Sequence, residues 1–102
     1  MNAKKRSKRQ EQRVADRFGG RTTPGSGNGW AQKNDVRTSE ISFEMKYTDK
    51  KQFTLKADEL ERGEKHAILD GRDFVFGIEM NGRTWCVISG DEYASLRGLD
   101  GA

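Results

Sequence analysis

The chain is poor in several side chains on which stability and catalysis commonly rest. Cys86 is the only cysteine among 102 residues, so neither an intrachain disulfide nor a thiolate zinc cluster is available. His66 is the only histidine, which removes most transition-metal sites and any chemistry built on several imidazoles. No apolar run approaches the ~20 residues needed to cross a bilayer. Ala3 is the only apolar residue between Met1 and Val14, so the basic N-terminus has no signal-peptide core. A soluble, cytoplasmic protein is expected. Leu, Ile, Val and Phe together number 18, just under the ~20 % at which disorder becomes a concern. The net charge of only +3 argues against it, because disorder needs low hydrophobicity and high charge together. The length supports one domain with a thin core, of the kind small proteins often complete by self-association, so a homodimer is expected. What remains for chemistry is carboxylates, lysines, hydroxyls and a hard cation.

The charge is unevenly placed. Lys4, Lys5, Arg6, Lys8, Arg9, Arg13, Arg17 and Arg21 meet only Glu11 and Asp16 in the first 21 residues, which carry +6, while the rest of the chain carries −3. Such a segment attracts a polyanion, usually nucleic acid, through phosphate neutralisation and counterion release. The plainer alternative is a solubilising tail. Residues 1–9 read as a basic arm and 97–102 as a frayed tail.

Periodicity organises the rest. Val14 and Phe18, with Ala15 beside them, put a narrow apolar stripe on a charged helix over 7–18, which Gly19 and Gly20 end. The following RTTPGSGNGW, with the only proline and three glycines, reads as a loop. A short strand is expected over 35–38 and a clear one over 40–48. There Ile41, Phe43, Met45 and Tyr47 share one face, and Ser42, Glu44, Lys46 and Thr48 the other. Residues 52–55 read as a brief strand, and 56–69 as a helix lined by Leu60, Ala67 and Ile68. Strands over 74–80 and 83–89 join at Asn81-Gly82, the dipeptide most favoured in two-residue hairpins. A short helix over 91–96 follows. The expectation is a mixed α/β arrangement around one sheet.

Glu44 and Lys46 are two apart in the clearest strand, so both point to one side, and that side lacks apolar residues. An adjacent strand would bring Asp35 beside Glu44. Two converging carboxylates suit Mg²⁺ or Mn²⁺, which prefer oxygen ligands and keep several waters. A neighbouring Lys46 eases hydroxide formation or neutralises charge building on phosphorus, so phosphodiester hydrolysis is the expected chemistry. Alone, Glu-x-Lys is far more often the ordinary surface pair of a half-solvated sheet. The upstream Asp, the Gly/Ser loop before it and the Glu-bearing basic helix before that are what point to a site.

Glu11 on a basic helix, FGGRTTPGSGNGW, Asp35 and then FEMKYT resemble the PD-(D/E)XK nuclease superfamily. Within it the chain is most similar to the archaeal-type Holliday junction resolvases and related small phage and VRR-type nucleases, over roughly residues 9–60. The resemblance implies a restriction-endonuclease-like core, a central mixed β-sheet flanked by helices, in the host cytoplasm if phage-encoded. It makes Asp35 the first metal ligand, Glu44 the second, the Met45 main-chain carbonyl a third and Lys46 the catalytic lysine. Glu11 matches the helix glutamate that helps bind metal or orient water, and Ser26 a loop serine that approaches the scissile phosphate. Asn34 stands where the superfamily's name has proline, and the chain is shorter than typical resolvases.

The implied activity is a Mg²⁺ (or Mn²⁺)-dependent DNA endonuclease of Holliday junction resolvase type, a homodimer with two sites for paired nicks in a four-way junction. Two other readings stay open: a flap, branched-structure or nonspecific nuclease of the same chemistry, and a non-catalytic nucleic-acid-binding module. Lys4, Lys5, Arg6, Lys8, Arg9 and Arg13 are expected to grip phosphates. Arg21 beside the glycine-rich loop is expected as a bidentate phosphate partner, the alternative being a solvated loop. Lys33 and Arg37, which flank Asp35, either reach a backbone or are solvated. Trp30 either stacks on a base or anchors its loop. Cys86 reads as a small core residue, and Phe74, Phe76 and Ile78 fill either the core or a dimer seam.

Overall fold

The computed structural model of the chain describes residues 3–22 and 35–99, with side chains from Lys8 onward. Ser26, Trp30 and Lys33 lie outside the described residues, as do the side chains of Lys4, Lys5 and Arg6. Helix α1 spans Ala3–Phe18, so the basic run forms its first turns rather than a separate arm. Its Ala, Lys, Arg and Gln residues are strong helix formers, and no glycine or proline interrupts them. Strands β1 (Arg21–Thr22), β2 (Val36–Arg37) and β3 (Ile41–Thr48) follow, then α2 (Ala57–Leu69), β4 (Asp73–Met80), β5 (Arg83–Val87) and α3 (Gly90–Leu96).

The five strands form one sheet in sequence order. β1, β2 and β3 are mutually antiparallel, β3 and β4 are parallel across the α2 crossover, and β5 returns antiparallel to β4. The last turn has φ of 52° at Asn81 and 77° at Gly82, the double left-handed conformation that Asn-Gly tolerates best. Ser89 caps α3 by accepting the Glu92 N–H at 3.0 Å.

The helices cover opposite faces. Val14 and Ala15 of α1 pack on Val36, Phe43 and Met45, with Ile41 and Val75 at the margin. The Phe18 ring lies 5.1 Å from that of Phe43. Burying Phe43 alone stabilises by roughly 1.5–3 kcal/mol. On the other face α2 lies so close to β4 that a Cβ at Gly63 would run into the Phe74 ring. Phe76 is fully buried there and Ile78 nearly so, which assigns both to the core of the chain itself. Ser42, Glu44 and Lys46 pair with Phe74, Phe76 and Ile78 and share this α2 face.

Several expectations from sequence need correcting. Residues 21–22 pair as β1 instead of belonging to the loop, because β2 offers them an edge. Residues 52–55 form no strand; Phe53 instead sets its ring 6.0 Å from Phe76 and covers the sheet face. Leu60 and Ala67 do turn inward, but Ile68 is exposed, and Gly63 takes the buried place one turn before Ala67. Ser42 is buried because α2 covers the polar face that a half-solvated sheet would leave wet. Cys86 is exposed rather than in the core. α1 leans mainly on β1, β2 and β3, and α2 on β4 and β3. None of the described helices is long and apolar enough to cross a membrane.

Candidate functional site

β3 outruns its neighbour. Val36 pairs with Phe43 and Arg37 with Ser42, and one further step of that register sets Asp35 opposite Glu44, just where β2 ends. Beyond the described pairs of β2, the Met45 N–H is taken by Asp35 Oδ2 at 2.9 Å. This bond fixes the carboxylate against the open strand edge. A strand residue sends its N–H and C=O to the same side, so the Met45 carbonyl faces that edge as well.

Two glutamates converge on Asp35, one from each side of the sheet. Glu11 comes from α1, and its carboxyl titrates at about 7 instead of 4.5. Burial raises it first, then the Asp35 charge, then a hydrogen bond donated to Asp35 by the protonated form; Lys8 acts in the opposite sense. Glu44 also titrates at about 7, again through burial first and the Asp35 charge second, with Lys46 pulling the other way. Lys46 Nζ lies 3.7 Å from Glu44 Oε1. The four groups Glu11, Asp35, Glu44 and Lys46 are thus neighbours at one strand edge.

The carboxylates are linked in a row through Asp35, not closed into a ring. Among the described residues, no group of three or more His, Cys, Asp or Glu forms a ready-made metal cage. The donors are nevertheless all hard oxygens, and a shared divalent cation would relieve the mutual repulsion that lifts Glu11 and Glu44, so the residues fit Mg²⁺ or Mn²⁺.

Gln10 was not legible as part of this region. It is buried, at 2 % exposure, and its Nε2 donates to the Lys46 carbonyl at 2.6 Å. That bond ties α1 to β3 beside the cluster and sets the height at which Glu11 leaves the helix. Its one signal in the sequence is its place four residues before Val14, at the head of the apolar stripe.

The basic residues are less uniform than expected. Lys8, Arg9 and Arg21 are exposed. Arg13 is instead held by Glu79, with NH2 2.7 Å from Oε2. Arg37 is bonded to Asp70 at 3.0 Å. Gln52 is exposed in a segment without regular structure. Compared with known proteins, the chain matches no family model, no curated protein and no solved structure.

Proposed function

We propose that this chain is a metal-dependent DNA endonuclease of the PD-(D/E)XK type, acting on branched DNA in the manner of a Holliday junction resolvase. The observation that carries the reading is the set of three carboxyls at the end of β2, with Asp35 touching both Glu11 and Glu44 and Lys46 beside Glu44. The element order supports it: a basic helix, an antiparallel trio of strands, a crossover helix and a strand parallel to the third.

In this reading Asp35, Glu44 and the Met45 carbonyl would hold Mg²⁺ or Mn²⁺, with Glu11 at its margin. When bound, such an ion polarises the phosphate and makes water a better nucleophile. The chain's own groups do the rest. Asp35, pinned by the Met45 N–H, presents its other oxygen to the site. Glu11 orients a water in line with phosphorus. Lys46 neutralises the charge that builds on the phosphoryl oxygens as water adds and the P–O bond to the leaving sugar breaks. The cationic turns of α1 hold the flanking phosphates. Trp85, Tyr93, Leu96 and Leu99 are large and exposed, and a homodimer that buried them would bring two such sites to one junction.

The test is a panel of four-way junction, flap and linear duplex of matched sequence, incubated with Mg²⁺ or with EDTA. Cleavage of the junction in Mg²⁺ alone is expected. Equal cutting of all three substrates would remove the resolvase reading and leave a nonspecific nuclease. Binding without cutting in any metal would leave a nucleic-acid-binding module.

A further inference from the structure

The other end of the β2–β3 hairpin carries the opposite charge. A cavity of about 480 Å³ opens there, lined by Gly20, Arg21, Arg37, Thr38, Ser39 and Arg72 among others. Three guanidiniums from three parts of the chain thus border one space: Arg21 on β1, Arg37 on β2 and Arg72 between α2 and β4. We propose that this cavity binds a backbone phosphate of the nucleic-acid strand whose cleavage is assigned above to the carboxylate cluster. The proposal rests on the nuclease reading for the strand it names, while the phosphate contact itself is tested below without cleavage.

Two of the three cations are held in place before any ligand arrives. Asp70 Oδ2 accepts from Arg37 NH1 at 3.0 Å and from Arg72 NH1 at 2.6 Å, and Arg72 Nε donates to the Thr38 carbonyl at 2.7 Å. Arg72 NH1 also reaches the Asp70 carbonyl at 3.3 Å. Each guanidinium has five N–H donors in a fixed fork, and these bonds leave NH2 of both unspent. Arg37 and Arg72 are only about a quarter exposed, so little side-chain freedom is lost when they engage a ligand. With Asp70 subtracted, the three arginines leave a charge of +2, which suits a phosphate and not a neutral solute. The Thr38 hydroxyl accepts from the Glu40 and Ile41 N–H groups at 3.1 and 2.9 Å, so its own proton is free to be donated. Gly20 closes the wall: a Cβ there would lie 2.6 Å from the Arg37 carbonyl.

The spacing matches one continuous strand. Asp35 and Thr38 are three residues apart along β2, roughly 10 Å at a strand's rise. A nucleic-acid strand with a phosphate every ~3.4 Å of axial rise covers that in about three nucleotides. The cavity and the carboxylates then act together: the basic end fixes the register of the strand and the acidic end receives the bond to be cut.

Binding of a fluorescent 20-base-pair duplex is measured in EDTA across a salt series, so that cleavage plays no part. Arg21→Ala removes an exposed guanidinium, and Ser39→Glu puts a carboxylate at the rim. Arg83→Gln, on the far edge strand, is the control, and melting curves verify folding. Each cavity variant is expected to weaken binding about 5- to 10-fold and to lower the salt slope by about one, the control doing neither. Inorganic phosphate should shift the amide NMR signals of Gly20, Thr38 and Ser39 in the parent and not in Ser39→Glu. Unchanged affinity in both folded variants overturns the proposal. Phosphate shifts with unchanged duplex affinity overturn it too, by showing a pocket for free anions. A protein that binds as described yet cuts nothing in Mg²⁺ sinks the nuclease reading and leaves the cavity standing.

Discussion

The two ends of β2, a strand of only two residues, solve the problem of crowded charge in opposite ways. At the Thr38 end three arginines gather, and Asp70 pairs with two of them. Burial pushes Asp70 up, but the hydrogen bond and charge of Arg37, and then Arg72, outweigh it and hold the carboxyl below its ordinary value. At the Asp35 end three carboxyls gather against Lys46, 3.7 Å from Glu44, and the weaker pull of Lys8 on Glu11, and two of the carboxyls are pushed up to about 7. The first end is an arrangement that stabilises the fold. The second costs stability, which a protein keeps where the strained groups await an external partner. In the reading proposed above, that partner at the Asp35 end is a divalent cation.

The strongest way to break the contrast is to remove its hub. Asp35→Asn should lower Mg²⁺-dependent junction cleavage by ~100-fold or more while leaving DNA binding in EDTA near the parental level. A variant that cuts at the parental rate would dissolve the assignment of the acidic end. Next in size is the cationic start of α1. Neutralising Lys4, Lys5, Arg6, Lys8 and Arg9 together should flatten the dependence of log K on log salt by up to ~4–5, one phosphate contact contributing ~0.9. A filter-binding series from low to physiological salt reads this directly. An unaltered slope returns those residues to the status of a solubilising tail.

How much of this was written in the sequence follows from the range over which each feature is decided. The alternation in β3 and the Asn81-Gly82 turn depend on neighbours two residues apart, and both elements stand where expected. Asp35 and Glu44 were legible as a pair because one register step across a hairpin is nearly local. β1 was not, since two residues of a glycine-rich stretch become a strand only when another strand offers an edge. Cys86 and Ile68 were misplaced for the reverse reason: both lie in apolar company in the sequence, yet both side chains are exposed. Glu11 stood out only as the acid of a basic helix, and its role at the site entered through family resemblance. Arg72 carried no usable signal and Gln10 only its place at the head of the apolar stripe, because each acts on a carbonyl more than thirty residues away.

Stability against pH sharpens the contrast further. A carboxyl raised from 4.5 to about 7 on folding makes the folded state bind protons the unfolded chain has already released. Its contribution is therefore most favourable below about pH 4.5, fades as the pH rises through 7, and leaves a full penalty above it. Glu44→Gln carries no charge and escapes that penalty. In EDTA at pH 8 the variant should be more stable than the parent by about 1–2 kcal/mol, allowing for the coupling to Asp35 and for partial exposure. At pH 4.5 the two should melt together. Adding Mg²⁺ at pH 8 should raise the melting temperature of the parent more than that of the variant, since only the parent offers the full set of anionic donors. A variant less stable than the parent at pH 8 would mean that Glu44 is well paired by Lys46 rather than crowded by Asp35.

The smallest expected effect has the opposite sign. Asp70→Asn removes the negative charge between Arg37 and Arg72 while keeping an oxygen that can accept from either. Both ion pairs are partly exposed, so the loss should be a few tenths to about 1 kcal/mol at neutral pH. Because the Asp70 carboxyl is held below its ordinary value, this contribution is present above about pH 4 and is lost only as the pH falls below that. The two substitutions, each of one carboxylate for its amide, should thus move the melting temperature in opposite directions at pH 8. Asp70→Asn also raises the net charge of the cavity by one, so it should bind duplex in EDTA more tightly at low salt even as it folds less stably. Weaker duplex binding would show that Asp70 serves the cavity by aiming the two guanidiniums more than it costs in charge.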